Sequence, residues 1–370
     1  MMCGGVVKPP GKSGNGLSFL LRLRKDCRAV KVLVTGTDGY IGVMLASLLV
    51  EQQHDVVGLD TGFYRDGWLY DSVVKSQTQI SKDIRHITEE DLAGFDAVVH
   101  LAELSNDPLG QLKPELTYKI NHIGSVKLAK KCKQVGITRF IYTSSCSVYG
   151  VGGDERFKTE ESEPNPQTAY AKSKVLVERD VSALADDDFS PTFLRNATAY
   201  GPSPRMRFDI VLNNLAGLAW TTKEIKMTSD GTPWRPLVHV LDICEAIACV
   251  LDAPQEVIHN QIFNVGDTDG NYQVREIAEI VADTFPGCKL TLGSSDGDNR
   301  SYRVSFEKIK TNLPAFECRR DARLGAEQLR EIFEQIDMSA ETFKYPPYTR
   351  LKQLEYLIRT QQIDAGFFWR

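Results

Sequence analysis

Apolar positions along the chain follow two alternating rhythms. Short continuous runs rich in Val, Ile and Leu occupy 30–35, 55–60, 97–102 and 139–144, with two more at 193–197 and 261–265. Between them apolar residues recur at helical spacing. Ile41, Leu45, Leu48 and Leu49 mark 40–53, and Leu116, Ile120, Ile123, Val126 and Leu128 mark 114–135, which Gly136 ends. A further long helix is predicted over 168–185. Short runs that are apolar throughout read as strands buried on both faces, and the 3.6-residue stretches as helices that cross over between them. The pattern predicts an α/β fold, a doubly wound (Rossmann-type) and mainly parallel sheet. From Gly201 onward the rhythm loosens, with Pro and Gly in Gly201-Pro202-Ser203-Pro204 and Gly231-Thr232-Pro233. A smaller C-terminal substrate-binding domain is expected there, over 201–370, with about 237–266 returning to the sheet. The sheet domain takes 30–200 and an extension takes 1–29. The segment 348–370 reads as a mixed-charge helix and an aromatic tail, Phe367-Phe368-Trp369, that docks on the protein's own surface in preference to a dimer contact.

Composition changes this picture little. Apolar and charged residues make up 42% and 25% of the 370, as in an ordinary soluble protein. The net charge of −5 gives no reason to expect a nucleic-acid partner. Eight scattered cysteines, without CxxC pairs or a Cys/His grouping, predict reduced thiols in the cytoplasm and no metal site. No apolar run reaches the ~18 residues of a membrane span. The stretch 1–29 is basic, with Asp26 its one acidic residue. Few Ser and a weak amphipathic pattern favour a disordered extension over a targeting segment.

Candidate chemistry begins at Gly36-Thr37-Asp38-Gly39-Tyr40-Ile41-Gly42, where the first strand meets the first helix. A backbone that passes close to a pyrophosphate cannot carry Cβ atoms at the contact points. Gly36, Gly39 and Gly42 remove them, and the helix start at Tyr40 and Ile41 offers free N–H groups. Asp60 ends the second strand about 20 residues on, where an acid accepts both adenosine-ribose hydroxyls and repels a 2′-phosphate. This favours NAD over NADP; Arg65 softens the preference. The plainer reading of Asp60 is a loop-starting Asp. Asp83 and Ile84 follow the next expected strand, within reach of the adenine.

Tyr170 and Lys174 stand four residues apart, hence on one helix face. A phenol titrating near 10 is a poor base at neutral pH, and a neighbouring ammonium and a nicotinamide cation both favour its phenolate. Thr143-Ser144-Ser145-Cys146-Ser147-Val148-Tyr149-Gly150 sits at the C-terminal end of a strand, the edge where open α/β sheets build their sites. Taken together, the glycine turn, His100-Leu101-Ala102, Asn121, Ser145/Tyr149, Tyr170/Lys174 and Arg195…Tyr200-Gly201-Pro202 resemble the extended short-chain dehydrogenase/reductase family, over about 31–345. The nearest group is the nucleotide-sugar epimerases and dehydratases. The resemblance implies that Ser145, Tyr170 and Lys174 form the catalytic triad. It also implies that Asn121 supports Lys174 through a water, and that Lys174 with Leu101 and Ala102 meets the cofactor. In Trp234-Arg235-Pro236-Leu237-Val238-His239, Arg235 resembles the residue that holds the nucleotide diphosphate, and Arg300 a second such Arg. His239 reads as structural, with Asp242 as N-cap of a helix over 243–251. A homodimer through helices 116–133 and 168–185 is likewise implied.

Three departures leave the sugar and nucleotide open. Cys146-Ser147 replaces the Asp-Glu pair that the resemblance associates with 4,6-dehydration, and Cys146 reads as a small buried thiol. Glu103 stands where the family pattern has Ala; it faces away or adds an acid/base near the sugar. Thr198 replaces an Asn that contacts substrate. The expected activity is an NAD-dependent nucleotide-sugar epimerase working through a 4-keto sugar. The alternative is an NAD(P)-dependent reductase or dehydrogenase of a keto-sugar or related carbonyl.

Overall fold

The computed structural model describes residues 29–71, 73, 78–105, 107–151, 157–294 and 300–370. The extension over 1–28, with Cys3 and Cys27, lies outside them. Seven strands form the main sheet: β1 (Lys31–Thr35), β2 (Asp55–Asp60), β3 (Thr78–Ser81), β4 (Ala97–His100), β5 (Arg139–Ser145), β6 (Ser190–Asn196) and a strand at Gln261–Val265. Their order is 3-2-1-4-5-6 with Gln261–Val265 outermost beside β6, and every pair is parallel. The order in which strands are added reverses between β1 and β4, so a crevice opens at their C-terminal ends.

Side-chain alternation on these strands feeds two cores. Val32, Val34, Val99 and Ile141 point to one face, against Leu45 and Leu49 of α1 (Gly42–Glu51) and Ile243 and Ile247 of a helix at Val240–Asp252. Leu33, Val98, Phe140 and Tyr142 point to the other, against Leu128 of α2 (Ser125–Gln134) and Val177 and Val181 of α3 (Ala169–Ser182). Covering both faces is what makes the strands apolar throughout. The predicted helix over 114–135 is broken in register: Tyr118–Gly124 is π-helical between Pro114–Thr117 and α2. Such bulges concentrate at functional sites. Strand β6 begins three residues earlier than the apolar run predicted, because Ser190 and Pro191 already stand opposite Arg139 and Phe140 of β5, before the ladder to Gln261–Val265 begins at Thr192.

A third apolar cluster lies off the sheet, around Val211–Thr222, Val274–Thr284 and Ala322–Gln335, with Leu212, Ile277, Leu329 and Phe333 at its centre. The expected return of 237–266 is only partly what the structure shows. Gln261–Val265 joins the main sheet. Trp234–His239 instead pairs with Thr198–Tyr200 and Asn271–Gln273 in a separate three-stranded sheet, because the chain leaving β6 supplies it with a closer partner. The C-terminal helix Arg350–Arg359 packs Leu354 and Leu357 into the second core. The tail after it folds back: the Trp369 indole donates to Thr61 O at 2.6 Å, and the Arg85 guanidinium stacks 3.7 Å from the Phe368 ring.

Candidate active site

Strand β1 turns into α1 through Gly36, whose φ of +81° is left-handed. A Cβ there would lie 2.9 Å from Ala102 N and Leu101 C, and one at Gly42 would overlap the Gly36 carbonyl. The turn is therefore bare backbone wedged against the end of β4, open to close approach by a diphosphate. Tyr40 pins it from the far side, its hydroxyl donating to Gly201 O at 2.6 Å. Asp60 accepts from the N–H of Asp38 at 3.0 Å and of Gly62 at 2.7 Å, and lines a cavity of about 460 Å³ with Thr37, Gln79 and Arg65. Burial, reinforced by Asp38, raises its carboxyl to about 6, against the pull of those two N–H groups and Arg205. Asp83, two residues beyond the Ser81 that pairs with Asp60, accepts from Arg85 N and pairs with that guanidinium at 2.6 Å. Ile84 is buried in the second core, and neither residue lines the two cavities. The turn, its helix start and Asp60 fit a dinucleotide.

A larger cavity, about 590 Å³, opens beside the glycine turn. Ser145 ends β5, and its hydroxyl accepts from Ser147 N at 3.2 Å. Thr168 caps α3 by accepting from Ala171 N, which aims the first turns of that helix at the cavity. Ser145, Tyr170 and Lys174 line it together, as do Thr198, Arg235 and Arg300. The three triad positions and the two candidate phosphate ligands read from the sequence thus converge on one space.

Glu103 does not face away. Its carboxylate lies 2.5 Å from Lys174 Nζ and accepts from the Tyr142 hydroxyl at 2.5 Å. Lys174 also donates to Thr143 O at 2.5 Å, and its ammonium sits 5.4 Å from the centre of the Tyr170 ring. Behind the carboxylate runs a buried polar chain, Ser125 to His100 at 2.7 Å and His100 to Thr35 at 2.7 Å. Burial lowers His100 to about 3, so it stays neutral through the physiological range. Burial pulls Lys174 down, but Glu103 and Tyr170 more than offset this and hold it above the usual lysine range. Burial raises Glu103, and Lys174 opposes. Tyr170 is also raised, first by burial; Lys174 lowers it as expected, while Glu103 and Asp107 work the other way.

Asn121, in the π-helical turn, is fully buried. It accepts from Leu104 N at 2.9 Å and donates to Leu104 O at 3.1 Å, clamping the loop after β4. Sequence reading missed Glu178. Its carboxylate takes the Arg195 guanidinium at 2.7 Å and the Ser144 hydroxyl at 2.5 Å. The signal was available: Arg195 inside an apolar strand requires a buried acid, and Glu178 lies one helical turn beyond Lys174. The Cys146 thiol is buried against Arg195 O at 3.1 Å, and burial pushes it well above its ordinary range. The cap of Val240–Asp252 is His239, whose ring accepts from Leu241 N at 3.2 Å. Asp242 is instead a fully buried first-turn acid paired with Arg320, so its capping assignment is corrected. Arg300 pairs with Asp107, which also accepts from Thr168 at 2.7 Å, and Arg235 donates to Arg300 O. Among the described residues no group of His, Cys, Asp or Glu is arranged to hold a metal ion.

The model of the NAD dependent epimerase/dehydratase family matches residues 32–266, more than half of the chain. The chain belongs to this family. Its cofactor is accordingly NAD. A UDP-glucose 4-epimerase of Corynebacterium glutamicum is 29% identical over 301 residues, covering 77% of this chain and 90% of that protein. Among solved structures, MoeE5 in complex with UDP-glucose and NAD matches with a TM-score of 0.71 and 26% identity, over 83% of this chain and all of its own. The UDP-glucose 4-epimerase of Thermotoga maritima, with UDP-glucose, shares the fold at a TM-score of 0.72 and 23% identity, over 83% and 100%. No helix among the described residues is long and apolar enough to cross a membrane.

Proposed function

We propose that the protein is a nucleotide-sugar epimerase that inverts a hydroxyl-bearing carbon through a 4-keto-sugar intermediate. The observation that carries this reading is the meeting of Ser145, Tyr170 and Lys174 with the glycine turn in one cavity. Bound NAD supplies a reversible hydride acceptor. Tyr170 takes the proton of the sugar hydroxyl and keeps it, ready for return to that same oxygen when the turned keto sugar is reduced on its opposite face. The Ser145 hydroxyl hydrogen-bonds the same oxygen. Lys174, kept protonated by Glu103, favours the phenolate of Tyr170. Arg235 and Arg300 take the nucleotide diphosphate, Arg300 exchanging Asp107 for phosphate oxygens, and Thr198 lies beside the sugar. Asn121 acts on Lys174 indirectly, by fixing the Leu104 loop from which Glu103 projects.

Epimerisation is favoured over loss of water because Cys146 and Ser147 follow Ser145. The Cys146 thiol is buried with its pKa raised, and a serine hydroxyl is no acid. The names of the relatives make UDP-glucose the first substrate to test. A homodimer through helices 116–133 and 168–185 accompanies this reading. It is supported by Ile123, 56% exposed on the first of them, and is checked by the mass measured in solution. The activity is tested by incubating purified protein with UDP-, dTDP- and GDP-hexoses and resolving the products by NMR. An epimer without accumulating NADH is expected. Stoichiometric NADH with no epimer from any sugar refutes the reading in favour of a net dehydrogenase.

A further inference from the structure

The triad and the glycine turn leave a basic cluster in the same cavity without a role. Arg207 lies in the loop before Val211–Thr222, and Arg350 is the first residue of the C-terminal helix. Both line the cavity that holds the glycine turn and Tyr170. Arg207 forks onto Asp209 at 2.9 and 3.2 Å and reaches the Ser105 hydroxyl at 3.3 Å. Arg350 is 4% exposed, and its guanidinium donates to Pro347 O at 3.0 Å and to Arg205 O at 3.5 Å, with the Tyr64 ring 4.1 Å away. The carboxylate of Asp209 serves both, since it also accepts from Arg350 N at 3.3 Å. Two guanidiniums thus stand in a buried setting around one acid, which pairs with the Arg207 guanidinium and meets Arg350 through its backbone N–H. Burial first, and then repulsion from Arg207, pull Arg350 down to about 10.

A buried like-charge pair is costly unless an anion completes it. Its place along the site indicates which anion. Arg207 reaches the Ser105 hydroxyl in the loop after β4 and shares the cavity with Tyr170 at the reacting end, while Arg350 packs on Tyr64 in the loop that follows Asp60 at the adenosine end, and the glycine turn lines the same cavity. The span between an adenosine ribose and a nicotinamide is the diphosphate. We propose that Arg207 and Arg350 form a diphosphate-binding pair that grips the dinucleotide from outside the glycine turn. Cofactor retention then depends on the docking of the C-terminal helix. The same chemistry would take the diphosphate of the nucleotide sugar, so the two sources are separated by probe.

The test uses the full chain freed of nucleotide, and binding of ADP-ribose and of UDP by calorimetry, which needs no turnover. Arg350→Gln is expected to weaken ADP-ribose about ten- to hundredfold, the range for one charge-assisted hydrogen-bonding group, and to leave UDP unchanged. Arg350→Lys, which keeps the charge and loses the fork, should retain part of the affinity. Loss confined to UDP keeps the pair a diphosphate site but moves it to the substrate. Unchanged affinity for both ligands overturns the proposal. So does equal loss for both with a lowered melting temperature of the ligand-free protein, because that is damage to the fold.

Discussion

Replacing Glu103 with Gln removes one charge from a pair whose side chains are only 2% and 5% exposed. Lys174 keeps its hydrogen bond to Thr143 O and its position 4.7 Å above the Tyr142 ring, but has no counter-charge at contact distance. Breaking a buried pair from one side costs about 3–5 kcal/mol. Thr143 O remains and the new amide oxygen still accepts, so the lower end, about 3 kcal/mol, is expected. Lys174 titrates above its unfolded value because of the pair. That stabilisation is therefore complete below the unfolded lysine value of about 10.4 and is lost as pH rises through the folded one. The deficit of Glu103→Gln should be full at neutral pH and shrink in strongly alkaline buffer. Urea unfolding of the wild type, Glu103→Gln, Lys174→Met and the double variant measures it, with the coupling read from the cycle. Activity gives a second readout. Tyr170 is faced by Lys174 on its own helix, by Glu103 after β4, by Asp107, by Arg207 and by Tyr142 on β5. Removing the negative Glu103 should move the acid limb of the rate profile to lower pH. Glu103→Gln as stable as wild type, with the acid limb unmoved, would refute the assigned coupling.

Gly42→Ala should abolish NAD retention through gel filtration, because its Cβ overlaps the Gly36 carbonyl rather than a side chain that can move aside. NAD affinity should fall up to about tenfold per pH unit as pH drops through about 6, where Asp60 takes up a proton. Asp60→Asn should flatten that dependence, as read by calorimetric titration. The same raised value means that Asp60 itself makes the cofactor-free fold less stable at neutral pH than at pH 5. Tyr170→Phe should lower kcat by about 10²–10⁴ while leaving NAD retention intact, in a coupled assay beside gel filtration.

The strands and the glycine turn were legible in the sequence because burial on both faces leaves an unbroken apolar run, and because close backbone approach admits only glycine. Ser145, Tyr170 and Lys174 were singled out by the resemblance that their motifs carry together, since a Tyr and a Lys four residues apart are common on solvated helix faces, and the structure brings all three to one cavity. Residues whose roles are set by partners distant in sequence were harder to read. Glu103 stands out by type, but its aim is not legible, since its contact with Lys174 runs from the loop after β4 to α3. Asp242 looks like a cap by type, yet His239 takes that place and Arg320, 78 residues on, claims the acid. The separate sheet formed by Trp234–His239 depends on a pairing with Thr198–Tyr200 that no local pattern marks.

The most direct test of the proposed chemistry uses a nucleotide sugar carrying deuterium on the carbon whose hydroxyl Tyr170 addresses. A hydride passed to NAD and returned to the same molecule predicts an epimer that keeps its deuterium at that carbon, with no exchange into solvent and no NADH released. Epimer with the label washed into water, or labelled NADH leaving the protein with a keto sugar, would contradict it.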